Sequence, residues 1–410
     1  MDREGANQGN FERIWFFFLF VYLLIEFIRI HDLLQIGFLR PGMLATIILA
    51  VFVLINGQFA FITKRQIRLI GFFVLLLIIY VPLARNNYYA FQIAKGMLIY
   101  VPLLLSIVAL INTRERLLSL FWIFSLLLAY NAAYGILNGG RGPGSFVADE
   151  NDLGLFLVTF LPFLFFLFGQ TSKKNKIILF GIVALALIAV ISTFSRGAFV
   201  GLLAMGFMYW WYSKNKVKIV FFATVLAVVF FVYSGEKYIQ EMSTITDTSE
   251  NTAVSRFLSW EAGWYMFLDN PLGVGGGNFG IRFDEYQPEE FRRSMWGRAA
   301  HSLWFTLIPE TGVIGVLIYF SIIGYNLKDI FYLRNLKTEY SGDDEAAPFF
   351  FPLSTALLAS LLGFFASATF LSVLYYPQFW ILTAVITSAR QIAVYQIEPP
   401  SITALNEVHA

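Results

Sequence analysis

Runs of roughly twenty apolar residues, recurring from one end to the other, constrain this chain more than any other feature. A helix needs about 20 such residues to cross a bilayer, since its backbone polar groups must all be satisfied within the segment. Such segments fall near Ile14–Ile30, Gly42–Ile62, Ile67–Ala84, Ala90–Ile111, Leu117–Leu137, Leu153–Gly169, Ile177–Phe194, Ala198–Tyr212, Val217–Tyr233, Leu303–Tyr325, Phe349–Leu371 and Gln378–Tyr395. The pattern predicts an all-α polytopic membrane protein of about twelve transmembrane helices. Charged residues make up 14% of the chain, against about 25% in soluble domains. The 410 residues are therefore expected to form one transmembrane domain, 1–410, in place of several soluble ones.

Loop charge then sets orientation, because Lys and Arg are retained on the cytoplasmic side. With the N-terminus inside, that side collects Lys64, Arg65 and Arg68, then Lys173, Lys174 and Lys176, then Lys328, Arg334 and Lys337, and finally Arg390. The short outer loops hold only Arg29, Arg40, Arg85, Arg141 and Arg196. Both termini are expected in the cytoplasm. The N-terminal MDREGANQGNFER reads as a lead into the first span, not a cleaved signal.

Against this background the polar stretch 234–300 stands out as one large outer loop. Connections beyond about 15 residues are usually functional or disordered. Within it, Val254, Phe257, Leu258, Ala262 and Tyr265 recur at helical spacing, which predicts a helix over Val254–Leu268 lying at the membrane–water interface. Asn270-Pro271 ends that helix, and GVGGGNFG predicts a tight glycine turn.

The loop runs into the next span through His301, whose unperturbed pKa near 6.5 suits a general base. Helix capping is the competing role. Pro309, Glu310 and Gly312 interrupt the same span; Glu310 either orients the imidazole across a bend or pairs with an outer arginine. Arg196 stands in TFSRGAFVG with almost no loop around it. A guanidinium at that depth faces a protein interior or polar cavity by default, with snorkelling or pairing to Asp149 or Asp152 as alternatives. Arg256, Arg141 and Lys95 add cations on the same side of the membrane. Arginine's planar fork binds phosphate bidentately, so a lipid-linked phosphate or diphosphate is the expected ligand.

Other chemistries find little support. GGGNFG fits G-x-G-x-x-G literally but follows no strand, so no dinucleotide site is expected. There is no P-loop, no cysteine, and only three scattered histidines, which leaves no zinc set. DENDLG, Asp149–Gly154, is the best divalent-metal candidate, with loop and helix cap as its competing role. Neither metal nor cofactor is expected. A net charge of +2 without basic–aromatic clusters gives no nucleic-acid partner.

Four ordered motifs together resemble the O-antigen ligase/polymerase superfamily of bacterial membrane glycosyltransferases. They are RGPGSFVADENDLGLFLVTFLP at Arg141–Pro162, FSRGAFVGLL at Phe194–Leu203, SRFLSWEAGWYMFLDNPLGVGGGNF at Ser255–Phe279 and HSLWFTLIPETGVIG at His301–Gly315. The resemblance is greatest to lipid A–core O-antigen ligases. It implies a GT-C-type fold in the bacterial inner membrane and an active site on the periplasmic face. The implied reaction is metal-independent, inverting transfer of a glycan from undecaprenyl diphosphate to a lipid A–core acceptor. Arg196 and Arg256 would grip the diphosphate, with Arg141 and Lys95 as further contacts. His301 would deprotonate or position the acceptor hydroxyl. Ser302 stands where many members have Asn, and would still offer a hydrogen bond. The alternatives are a polymerase joining lipid-linked repeat units and, in a different class, a lipid-linked glycan flippase; no internal repeat supports the latter.

Overall fold

A computed structural model describes residues 2–57, 63–217, 224, 251–289, 297–339 and 346–397. The expected span Val217–Tyr233, the first part of the outer loop and the inner loop centred on 341–345 lie outside the described residues in whole or in large part. All regular structure among the described residues is helical. The main helices are α1 (Asp2–Ile28), α2 (Pro41–Ile55), α3 (Arg65–Tyr80), α4 (Asn87–Leu110), α5 (Arg114–Leu137), α6 (Glu150–Gln170) and α7 (Lys173–Ser192). They continue with α8 (Arg196–Tyr212), α9 (Asn251–Asp269), α10 (Phe279–Tyr286), α11 (Leu303–Glu339), α12 (Ala346–Ala368) and α13 (Pro377–Ile397).

Eight of the described helices are long and apolar enough to cross a membrane. They correspond to α2 through α7, α11 and α12. Of the other expected spans, Val217–Tyr233 lies almost wholly outside the described residues, and α1, α8 and α13 differ from these eight in length or polarity. α8 has 17 residues. α1 carries Glu12, Arg13 and Glu26, and α13 mixes Gln378, Thr383, Thr387 and Ser388 into its sequence. α13 tolerates those polar groups because other helices surround it. Its Asn326 contact is one example: the α11 amide donates to Thr383 Oγ1 at 2.8 Å, fully buried. Such a bond nets about 1 kcal/mol, but leaving either group unpaired costs more.

α6 is the other central helix. LGLFLVTFLPFLFF is apolar on every face, which buries a helix all round. Phe163 stacks on Phe121 of α5 at 4.1 Å between ring centres, and Phe160 stacks on Phe124 at 4.3 Å. Small residues let α8 come close on the other side. A Cβ on Gly201 would stand 2.7 Å from the Gly363 carbonyl oxygen of α12.

The break in α11 ties the polar loop to the bundle. Gly312 adopts φ 61°, ψ −168°, and Pro309 removes a donor, so backbone groups near the break lose their helical partners. The glycine turn supplies new ones. Val274 N donates to Pro309 O and Gly275 N to Glu310 O, both at 2.9 Å, while Val313 N donates to Pro271 O at 2.9 Å. A Cβ on Gly312 would fall 2.2 Å from the Leu272 carbonyl carbon, so glycine is required there. The expected helix over Val254–Leu268 is found as α9, with Phe257, Trp264, Tyr265 and Leu268 exposed. Its opposite side buries Ala262 and Met266 against Val274, Phe279, Phe283 and Ala300.

Candidate functional site

The site forms where the start of α11 meets the connection between α12 and α13. Ser302 caps α11, its Oγ accepting from Phe305 N at 3.5 Å and its carbonyl from Thr306 Oγ1 at 2.7 Å. His301, one residue earlier, is forced into the left-handed region at φ 47°, a conformation worth about 1–3 kcal/mol of strain in a non-glycine residue. It is held there by its own N–H, which donates to Ser372 Oγ at 2.9 Å. Trp304 Nε1 donates to Thr369 Oγ1 at 3.0 Å, a second tie to the same connection. α9 is fixed alongside: Trp260 Nε1 donates to Ala300 O at 3.0 Å, and its ring stacks on Phe305 at 5.3 Å.

These contacts place His301 among charges. The residue keeps an open face, but partial burial lowers its pKa from 6.5; Arg298 and then Arg256 lower it further, and Asp149 opposes them. The imidazole is therefore neutral near pH 7 and able to accept a proton. Arg298 Nη2 donates to Ser255 Oγ at 2.5 Å, while its buried Nε has no hydrogen-bond partner among the described residues. Burial lowers the Arg298 pKa from 12.5, which leaves the guanidinium charged.

Arg196 opens α8 beside the same connection. Ser195 caps α8 by accepting from Ala198 N at 3.2 Å and donates to Asn151 Oδ1 at 2.7 Å, which locks the SRG turn onto the start of α6. Phe194, in the preceding turn, has φ 50°. Gly197 packs against the Ser367 carbonyl and the Phe370 side chain, so Arg196 and His301 flank one short segment, 367–372.

Other sequence-selected residues sit differently. Glu310 is buried and accepts from Gly277 N at 2.9 Å, Phe279 N at 3.0 Å and Tyr375 Oη at 2.7 Å. Its carboxylate thus clamps the glycine turn instead of reaching the imidazole, and none of these partners is an outer arginine. The Ser302 hydroxyl serves as helix cap. Arg141 pairs with Glu150 at 2.7 Å on an exposed surface. Lys95 is exposed on α4, and no described contact brings it to His301. The acids of DENDLG take cap and partner roles: Asp149 accepts from Asp152 N at 2.7 Å, and Asp152 accepts from Tyr376 Oη at 3.0 Å. Among the described residues no three His, Asp or Glu side chains are grouped to hold a metal ion.

Sequence reasoning overlooked Arg298, Ser372 and Tyr375. Arg298 carried a usable signal, standing three residues before His301 in GRAAH. Ser372 and Tyr375 lie 71 and 65 residues from the groups they hold, and nothing local marks them.

The fold defines a multi-pass helical membrane protein, with a candidate histidine–arginine site where α11 begins. Residues 181–320 match a family model described as O-antigen ligase, Wzy_C. That match supports the O-antigen ligase/polymerase superfamily and a function of ligase or polymerase type. It spans Arg196, Arg256, Arg298 and His301. No curated protein matches the chain.

Proposed function

We propose that the protein is an inverting glycosyltransferase of the inner membrane. It moves an undecaprenyl diphosphate-linked O-antigen polysaccharide onto a lipid A–core acceptor at the periplasmic face. The observation that carries this reading is His301, held by Ser372 at the start of α11 within the matched region, with Arg298 and Arg256 close enough to lower its pKa. The acceptor hydroxyl oxygen attacks the anomeric carbon from the side opposite the diphosphate. The bond from that carbon to the phosphate oxygen breaks with its electron pair leaving on the diphosphate, and the hydroxyl proton passes to His301. Arg196 and Arg256 hold the leaving diphosphate, where positive charge counts most as negative charge develops. The arginines serve in place of a divalent cation in this scheme.

The test is transfer by purified protein, supplied with undecaprenyl diphosphate-linked glycan and lipid A–core in EDTA. Glycan on lipid A supports the ligase. Lengthened glycan still on the carrier lipid makes the protein a polymerase. Labelled donor crossing a liposome bilayer without transfer makes it a transporter and removes the roles given to His301, Arg196 and Arg256.

A further inference from the structure

A polar cavity of about 430 Å³ opens beside the second half of α11, between the start of α3 and the last turns of α13. Its volume falls within the ~300–1,000 Å³ of small-molecule sites. α3 starts at Arg65 on its wall and ends at Tyr80, whose Oη donates to Leu272 O at the glycine turn. At about 1.5 Å per residue its 16 residues span roughly 24 Å. The cavity therefore lies toward the opposite membrane surface from the glycine turn that His301 adjoins.

Four cations line it, Lys64, Arg65, Lys328 and Arg390, against one acid, Asp329. The acid is already engaged. Gln66 Nε2 donates to its Oδ2, and Arg390 Nε stands 3.8 Å from its Oδ1. Arg390 is fixed over the Tyr332 ring at 3.0 Å, and its Nη1 is buried with no hydrogen-bond partner among the described residues. Burial lowers the Lys64 pKa from 10.5; Asp329 opposes that shift and Arg390 adds to it. One acid against four cations leaves an excess of positive charge that a bound anion would offset. A phosphate group suits both an ammonium and an arginine fork.

We propose that this cavity binds a phosphate group, presented by the headgroup of an anionic lipid in that leaflet. The reading is independent of the chemistry at His301. The leaflet with more Lys and Arg in its loops is the one where anionic headgroups meet juxtamembrane cations.

The full chain is purified and reconstituted in phosphatidylcholine nanodiscs with and without phosphatidylglycerol, and separately with inorganic phosphate. Native mass spectrometry counts retained lipid and a thermal melt reads stabilisation. Lys64→Gln with Lys328→Gln removes two lining cations, and Arg390→Gln tests the buried nitrogen. Lys174→Gln with Lys176→Gln removes equal charge elsewhere on the same surface. The lining pair is expected to weaken phosphatidylglycerol retention roughly thirtyfold, and the control pair to leave it nearly unchanged. Stabilisation by inorganic phosphate alone, lost in the lining pair, keeps the phosphate site and makes its source free phosphate. Equal loss in the lining and control pairs, or no response to either phosphate source, overturns the proposal.

Discussion

Tyr375 and Glu310 meet at 2.7 Å, a phenol from the connection between α12 and α13 donating to a carboxylate at the break of α11. The same carboxylate accepts from Gly277 N and Phe279 N. Three separate stretches of chain are joined at one buried group, and the polar loop is thereby held against the bundle near His301. Burial and the Glu310 charge raise the Tyr375 pKa well above 10, so the phenol stays a donor.

Tyr375→Phe removes one of three donors and is expected to cost about 1–3 kcal/mol. Glu310→Gln keeps a single carbonyl acceptor and adds N–H groups with no acceptor facing them, so its cost is of the same order or larger. Both should lower the thermal midpoint of the purified protein. The pH profile of transfer should keep its acid limb in Glu310→Gln; a displaced limb would mean that Glu310 acts on the imidazole after all.

Gly312→Ala tests the break itself. The residue sits at φ 61°, and a methyl there would overlap the Leu272 backbone. Strain alone is worth about 1–3 kcal/mol, and the overlap must push the glycine turn away. Loss of folded protein, or a sharply lowered midpoint with loss of transfer, is the expected result. Gly324→Ala is the control, since nothing lies within 4 Å of its added methyl.

Composition and periodicity alone make the helical membrane class, the α9 helix and the glycine turn readable. They also single out His301, Arg196 and Arg256, the residues that the proposed function uses. The partners of Glu310 are not legible there, because spacing along a helix says nothing about what a break in that helix releases. The freed carbonyls of Pro309 and Glu310 had to find donors, and the glycine turn was the segment able to approach. Arg141 is expected as a phosphate contact from its place in a Gly-rich outer loop, and that place does not show its ion pair with Glu150, nine residues on. Apolar content alone does not separate a lipid-facing helix from a buried one such as α13.

His301→Ala should lower transfer by about 10²–10⁴-fold, the usual contribution of a general base. Donor binding should change little, because the diphosphate is assigned to arginines. Retention of labelled donor by the variant separates the two effects. Transfer at nearly the wild-type rate would remove the base role.

Arg256→Gln and Arg141→Gln should differ. Arg256 lies in the electrostatic field of His301, whereas Arg141 is exposed and engaged with Glu150. A desolvated charge contact to a ligand is worth several-fold more than an exposed one. Arg256→Gln is expected to reduce kcat/KM by about 10²-fold, on the scale of losing one transition-state donor. Arg141→Gln should cost less than tenfold. Equal losses would put Arg141 back among the donor contacts.

The pH dependence carries a sign test. A general base works only when neutral, so kcat/KM should rise with pH through the His301 pKa and then level off. Because burial, Arg298 and Arg256 lower that pKa, the acid limb should be centred below 6.5, with full activity at neutral pH. Arg298→Gln removes a charge that lowers it, so the limb should move to higher pH. Asp149→Asn removes a charge that raises it, so the limb should move to lower pH, while Asn still caps α6. General damage to the fold would depress the plateau in both variants without displacing their limbs in opposite directions. Opposite displacements would identify the titrating group as His301, set by the two neighbours the structure gives it; parallel or absent displacements would assign the limb to another group.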